Sequence, residues 1–175
     1  MFPFIGLLLI WAILLNCFGI NAQQLSTEQI ISLSAEELKW LTFEWKGERF
    51  ADGRPKVSDG ILHRMKSVSV EEAWATMSNA GYRYQIAEGW EVINPDSVLV
   101  GRAATATFMP GRPDVWKATD SLGRKQGRRA QNVWAVEMLQ KGDVYVADQF
   151  GAKRNAPTIG DNVGNAIFAR TGNGI

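Results

Sequence analysis

The sequence is poor in the two side chains that most often build zinc and redox sites. Its 175 residues include one cysteine, Cys17, and one histidine, His63. A disulfide within the chain is therefore impossible, and cysteine-rich zinc sites and sites built from two or three histidines are excluded. A serine–histidine–aspartate arrangement would have to use His63. Its position between Leu62 and Arg64 on a predicted short helix favours a hydrogen-bonded structural role instead.

The chain also lacks an excess of charge of one sign. Lysine and arginine number 19 against 18 aspartates and glutamates, which gives a formal net charge of +1. Proteins that bind nucleic acid usually carry a clear basic excess, so we expect no nucleic-acid partner. We interpret the basic run at residues 123–129 as a solvated loop or a subunit contact.

Hydrophobic side chains are plentiful, at 46% of the residues, and charged ones make up 21%. This composition and length indicate a globular protein of about one domain. Seven tryptophans suggest much aromatic surface to bury or to share with a partner. The spacing of Trp40, Phe43 and Trp45 predicts that these rings belong to a core or an interface.

The amino terminus has the features of an export segment. Residues 1–20 contain no charged side chain, and the small residue Ala22 follows at a plausible cleavage point. We therefore predict a signal peptide over residues 1–22 and an exported, periplasmic or extracellular protein. The alternative, an uncleaved membrane anchor formed by residues 1–20, stays open because about 17–25 apolar residues can span a bilayer. Cleavage after Ala22 would also remove Cys17.

Two capping boxes predict helices in the first half of the mature chain. The box at residues 34–37 predicts a helix that runs to about Lys46. The box at residues 69–72 predicts a helix that stops before Gly81. A short helix over residues 58–65 is expected between them.

The second half alternates strand and helix signals. Residues 97–108 and 143–148 have the composition of strands. Residues 111–129 are predicted to form a loop, and helices are expected over residues 130–140 and 160–170. This alternation predicts an α/β fold with parallel strands.

The final residues suggest that the domain continues. A helix that follows a strand and ends at a glycine, here Gly172, normally leads into another parallel strand. Gly174 and Ile175 look like the first residues of such a strand. We therefore expect the domain to be incomplete at its carboxyl terminus, with an exposed sheet edge.

The strongest local signal for chemistry is the segment Gly160-Asp161-Asn162-Val163, at the start of the last predicted helix. Free backbone amides and the helix dipole at such a position attract a carboxylate or a phosphate. Gly160 would let a ligand approach the backbone, and Asp161 could act on a metal-bound water. The plain alternative is that Asp161 simply caps the helix.

Two other charged residues have candidate roles. Asp148 ends a strand, where α/β sheets tend to place site residues, although it could equally form a turn. Arg102 lies within an otherwise apolar strand. It therefore needs a partner or an anionic ligand, unless it faces outward at an edge.

Five segments together resemble, in order and spacing, the RraA-like family, which includes the regulator of ribonuclease activity A and the 4-hydroxy-4-methyl-2-oxoglutarate aldolases. The resemblance covers residues 50–175, which would form an RraA-like domain preceded by a helical extension at 23–49. The matching segments are residues 54–60, 100–106, 141–148, 159–163 and 169–175.

The resemblance implies a β/β/α swivelling-domain fold, a homotrimer or hexamer, and a magnesium-dependent carbon–carbon lyase. Such an enzyme cleaves or decarboxylates a small 2-oxo acid, such as oxaloacetate, and releases pyruvate. By resemblance, the backbone of Gly160, Asp161, Asn162 and Val163 holds the pyruvate carboxylate, and Asp161 acts as a catalytic residue that positions a metal-bound water. A cation and an arginine would stabilise the enolate that forms.

The sequence departs from the family pattern in one respect. The family's Gly-x-x-Arg-Asp motif, whose aspartate ligates Mg²⁺ and whose arginine polarises the substrate, does not occur in the 175 residues. The metal ligand is expected beyond Ile175, and we expect the 175-residue chain to be inactive as a lyase. The alternative function is that of a non-catalytic, protein-binding regulator of the same family.

Overall fold

The computed structural model describes residues 32–128, 130–150 and 159–174. The predicted signal peptide, 1–22, lies outside these ranges. Among the described residues, no helix is both long and apolar enough to cross a bilayer. The elements, in chain order, are α1 (Ala35–Leu41), α2 (Asp59–Met65), α3 (Val70–Asn79), β1 (Arg102–Thr107), α4 (Pro113–Lys125), α5 (Trp134–Glu137), β2 (Asp143–Asp148) and α6 (Asp161–Thr171).

The second half of the chain is an α/β unit. Strands β1 and β2 pair in parallel, in a register that runs from Arg102 opposite Asp143 to Thr107 opposite Asp148. Parallel strands need a crossover between them, and here it contains α4 and α5. The mixed α/β class and both strands are therefore confirmed, although β1 occupies only Arg102–Thr107 of the predicted range 97–108.

A small core forms where α5, β2 and α6 meet. Val136, Leu139, Tyr145 and Ile167 form its buried cluster. Partly buried residues pack against this cluster, namely Ala104, Ala106, Ala135, Ala147, Ile159 and Val163. The apolar face of the sheet is thus covered by short helices, which lets a two-stranded sheet bury side chains.

Helix α6 runs back along the sheet from the carboxyl ends of the strands toward their beginnings. Its end is fixed there, because the amide of Gly142 donates to the carbonyl of Thr171 at 2.8 Å. The Asn173 side chain donates to the carbonyl of Asp143 at 3.1 Å. Gly172 ends α6 in the left-handed conformation, as the sequence predicts. Ile167, one turn before Thr171, belongs to the buried cluster that contains Tyr145, and Val163 packs against the same cluster. Over its length of about 16 Å the helix thus follows the sheet, so its amino terminus lies toward the carboxyl ends of the strands.

The three helices of the first half begin where their capping serines predict. The side chains of Ser34, Ser58 and Ser69 each accept a bond from an amide in the first turn of their helix. None of these helices contains a buried residue.

Helix α1 ends at Leu41, well before the predicted end near Lys46. The Arg49 guanidinium accounts for this, because it donates to the carbonyl of Thr42 at 2.6 Å and to that of Gly53 at 2.8 Å. The carbonyl of Thr42 also accepts the Trp45 amide at 3.0 Å, so both of its partners differ from the Lys46 amide that a longer helix would supply.

The prediction of a loop over residues 111–129 was wrong, because most of this segment is helix α4. Pro113 occupies the first turn of α4, where its missing amide costs nothing, and Asp114 complements the helix dipole. Gly123 looks like a helix breaker in the sequence. In the fold it is buried under the Trp134 indole, and a side chain at this position would collide with that ring.

The helix predicted over residues 130–140 is only partly present. A 3₁₀ turn, Gln131–Val133, leads into the four-residue helix α5. Ala130 has a positive φ of 48°, a conformation that prevents a regular helix from starting there.

Candidate functional site

The predicted anion site lies at the amino terminus of α6. Gly160 precedes the helix in an extended conformation, with φ of −112° and ψ of −173°, and has no side chain with which to cap it. A Cβ added to Gly160 would meet no atom of the described residues within 4 Å, so none of them blocks the approach to this backbone. The position fits a carboxylate that accepts bonds from first-turn amides.

The four predicted residues of this site do not contribute alike. Gly160, Asp161 and Asn162 are exposed. Val163 is half-buried and packs against the core, so only its backbone can reach a ligand. The Asp161 carboxylate accepts a bond from the Asn162 amide at 2.8 Å. It therefore competes with any anion for that donor and also repels the anion.

Asp148 ends β2, as predicted, but acts locally. Its carboxylate accepts a bond from the Phe150 amide at 2.9 Å, which is the turn-forming alternative.

Arg102 has a protein partner and is not an exposed edge residue, since its side chain is only 9% exposed. Its Nε donates to Asp143 Oδ1 at 3.2 Å, and its Nη1 donates to the carbonyl of Val57 at 2.9 Å. The sequence predicted that Arg102 needs a partner, and Asp143 is that partner.

Asp143 is the centre of a buried ionic cluster that the sequence reasoning missed. Its side chain is fully buried, and its second oxygen accepts a bond from Arg54 Nη1 at 3.0 Å. The same oxygen accepts the Gln140 amide at 2.9 Å. Arg54 and Asp143 are 89 positions apart, so no local pattern could have revealed the pair.

Both arginines of this cluster also lie over the ring of Phe50, with guanidinium carbons 5.3 Å (Arg54) and 5.2 Å (Arg102) from its centroid. Burial opposes the charge of Arg54, but its bonds to Asp52 and Asp143 outweigh burial and raise its pKa above the ordinary value. The cluster therefore joins the segment around residue 50 to the beginning of both strands through permanently charged groups.

A cleft of about 1640 Å³ runs along β1 and is separate from the α6 site. Its walls come from the region before α1, from the whole of β1, from α4 and from the segment around α5. None of residues 160–163 lines this cleft, whereas Tyr145 and Arg54 both line it. Burial raises the pKa of the Tyr145 hydroxyl.

The described residues do not by themselves fit a magnesium site. Within ranges 32–128, 130–150 and 159–174, no three histidine, cysteine, aspartate or glutamate side chains gather. Asp161 alone offers far fewer oxygen ligands than Mg²⁺ requires. We therefore derive no chemical step through a metal from these residues.

The remaining sequence candidates lie elsewhere on the surface. His63 is exposed on α2. Trp40 and Phe43 are 74% and 69% exposed, so their prediction as core residues was wrong. The interface alternative stays a prediction. The described part of the basic run lies at the end of α4 and just after it, where Arg124 pairs with Asp120 at 2.6 Å.

Comparison with known proteins found no matching family model, no matching curated protein and no matching solved structure. The resemblance to the RraA-like family therefore rests on the five sequence segments alone and stays a prediction.

Proposed function

We propose that the chain binds a small 2-oxo acid at the amino terminus of α6, and that it belongs to a divalent-metal-dependent carbon–carbon lyase. The reaction class is that of the 4-hydroxy-4-methyl-2-oxoglutarate aldolases and oxaloacetate decarboxylases, which release pyruvate. The corresponding architecture is the RraA-like swivelling-domain fold, assembled as a trimer or hexamer.

One observation carries this proposal: among the described residues, nothing covers the start of α6 at Gly160, and the direction of α6 puts this start toward the carboxyl ends of two parallel strands. Ligands of α/β proteins characteristically bind at this end of the sheet. The first-turn amides supply donors for a carboxylate, and the helix dipole favours its negative charge.

The role of Asp161 follows from its position at the first helical residue. In ligand binding alone it is unfavourable, because its charge lies beside the anion and its oxygen occupies the Asn162 amide. Its presence at such a site makes sense if it works on the reaction, by holding a water near the substrate. Substitution of Asp161 should therefore strengthen ligand binding by the 175-residue chain, whereas it would slow turnover in a protein that also carries the Gly-x-x-Arg-Asp motif.

The test compares Asp161→Ala with Asp161→Pro, measuring oxaloacetate binding to the 175-residue chain by calorimetry. Both substitutions remove the carboxylate, but only proline also removes the backbone donor, at a position where helices tolerate it. Asp161→Ala should bind about 2- to 5-fold more tightly than the parent chain, because a repelling charge is lost. Asp161→Pro should bind about tenfold more weakly than Asp161→Ala, because a donor to a charged group is lost.

Turnover is measured separately, as pyruvate release from oxaloacetate with and without Mg²⁺. The Gly-x-x-Arg-Asp motif does not occur in the chain, so we expect binding without turnover. Equal affinities for the alanine and proline variants, or no oxaloacetate binding by any of the three proteins, would contradict the proposal.

A further inference from the structure

The outer edge of β1 offers backbone groups that β2 does not use. The amides of Arg102 and Phe108 donate to carbonyls of the β2 segment, at 3.0 and 2.8 Å. Backbone groups alternate between the two edges of a strand, so those of Ala103, Thr105 and Thr107 point away from β2. Within the described ranges the sheet has two strands, and no strand pairs with this edge.

The cleft lies along this same strand. All six residues of β1 line it, together with large apolar side chains, which include Leu33, Leu38, Met109, Val115 and Trp116. Trp116 is 54% exposed and Met109 is 62% exposed, so apolar surface is open to a ligand. A strand added to β1 would direct every second side chain toward the apolar walls.

Two buried donors on the cleft wall have no acceptor among the described residues. They are Arg54 Nη2 and the hydroxyl of Tyr145, a residue that is 2% exposed. Asp143, which binds Arg54, and Tyr145 are two positions apart on β2, so both donors lie on the same face of the sheet. Buried donors without partners are costly and rare, which points to an oxygen atom supplied by a ligand.

The charge of the cluster indicates what kind of oxygen this is. Arg54 already pairs with Asp52 and Asp143, at 2.8 and 3.0 Å, and Arg102 also pairs with Asp143. The positive charges are thus balanced, and a further carboxylate would lie close to two others. A neutral carbonyl oxygen complements these donors better.

We propose that the cleft binds an extended, uncharged peptide segment of a partner protein, which adds to the sheet as a third strand beside β1. Its backbone pairs with Ala103, Thr105 and Thr107, its alternate apolar side chains enter the cleft, and carbonyl groups accept from Arg54 and Tyr145. This mode, strand addition to a sheet edge, uses backbone bonds for affinity and side-chain pockets for specificity. It does not depend on the 2-oxo acid site at α6.

The probe is a fluorescein-labelled, end-blocked hexapeptide of alternating threonine and valine, titrated with the full 175-residue chain and followed by fluorescence anisotropy. The control peptide has the same sequence with N-methyl groups on alternate backbone nitrogens, in both possible phases. We expect saturable binding of the parent peptide. For the N-methylated peptide that cannot pair with β1, we expect an affinity lower by about tenfold or more, since several backbone hydrogen bonds to β1 cannot form.

Two protein variants locate the binding site. Thr105→Pro removes a backbone donor on the outer edge of β1 without removing a bond to β2, and Thr105→Ala is its matched control. We expect about tenfold weaker peptide binding for the proline variant and less than about a twofold change for the alanine variant.

Tyr145→Phe keeps the ring and removes only the hydroxyl, so it remains informative even if Thr105→Pro does not fold. Peptide affinity should fall about threefold to tenfold, while the urea midpoint of the free chain stays the same or rises. A hydroxyl with a purely structural role would lower the midpoint and leave peptide affinity unchanged.

Three results would overturn the proposal: no hexapeptide binding at millimolar concentration, equal binding of the parent and N-methylated peptides, or unchanged affinity in both Thr105→Pro and Tyr145→Phe. A fourth contradicting result could come from sedimentation of the free chain. If the chain self-associates and Thr105→Pro abolishes this self-association, the edge of β1 binds a second copy of this chain instead.

Discussion

The helices of the first half and the α/β unit of the second half differ in what holds them. Helices α1, α2 and α3 have serine caps, two of them with complete capping boxes, yet none contains a buried residue. Helices α4 and α6 have no side-chain cap, yet both have buried residues. Capping thus determines where a helix begins, whereas packing determines whether the helix contributes to a core.

The two regions are joined mainly through charge. Arg54, from the segment between α1 and α2, reaches the fully buried Asp143 at the start of β2. Arg102 on β1 reaches the carbonyl of Val57 in the opposite direction. The junction therefore depends on one carboxylate that serves two guanidinium groups.

The largest expected effect comes from removing that carboxylate. Asp143→Asn leaves two guanidinium groups without their shared partner, and we expect the free energy of unfolding to fall by about 3–5 kcal/mol. Urea denaturation followed by tryptophan fluorescence measures this free energy, since Trp134 is buried and its emission changes on unfolding.

The control is Asp59→Asn, because the Asp59 side chain is 89% exposed and lies 3.5 Å from Arg102. It should change stability by less than about 0.5 kcal/mol. Equal effects would show that the buried charge does not join the regions.

A smaller effect, confined to the α/β unit, is expected from Gly123→Ala. The new methyl group would collide with the buried Trp134 ring, so we expect a net loss of about 1–3 kcal/mol despite alanine's better helix propensity. The matched control is Gly164→Ala in α6, where a side chain meets open space. It should stabilise the chain by about 0.5–1 kcal/mol. Thermal denaturation of both variants tests the opposite signs, and a stabilising Gly123→Ala would refute the packing of α4 on Trp134.

The smallest effect is expected in the first half. Ser69→Ala removes the side-chain cap of α3, which is worth about 1 kcal/mol locally. A loss of about 1 kcal/mol corresponds to about fivefold faster amide hydrogen exchange in α3, whereas exchange in β2 should stay unchanged. Ser67→Ala, at an exposed serine outside the helix, serves as the control. Faster exchange in β2 as well would mean that α3 and the α/β unit unfold together.

Sequence patterns located most elements because the signals act over a few residues. The capping boxes gave the starts of α1 and α3, and apolar β-branched runs gave both strands. The prediction for the α4 segment was wrong because Gly123, Arg124 and Lys125 have the composition of a loop. Only the contact between Gly123 and Trp134, eleven positions later, explains the glycine within a helix.

The candidate sites divide in the same way. Gly160 and Asp161 were identified because a helix start is encoded by adjacent residues. The Arg54–Asp143 pair and the Tyr145 hydroxyl, which has no acceptor in the described part of the chain, were not identified, because each depends on residues brought together from distant parts of the chain.

By itself, the sequence determined the α/β class, the positions of the strands and the starts of the capped helices, since these follow from bonds and periodicities within a few residues. The tertiary structure alone decided which helices bury side chains, that Arg102 is paired, and that no strand of the described residues pairs with the outer edge of β1 beside an apolar cleft. The physical reason is that burial and charge pairing depend on which distant segments meet, and no local pattern records that.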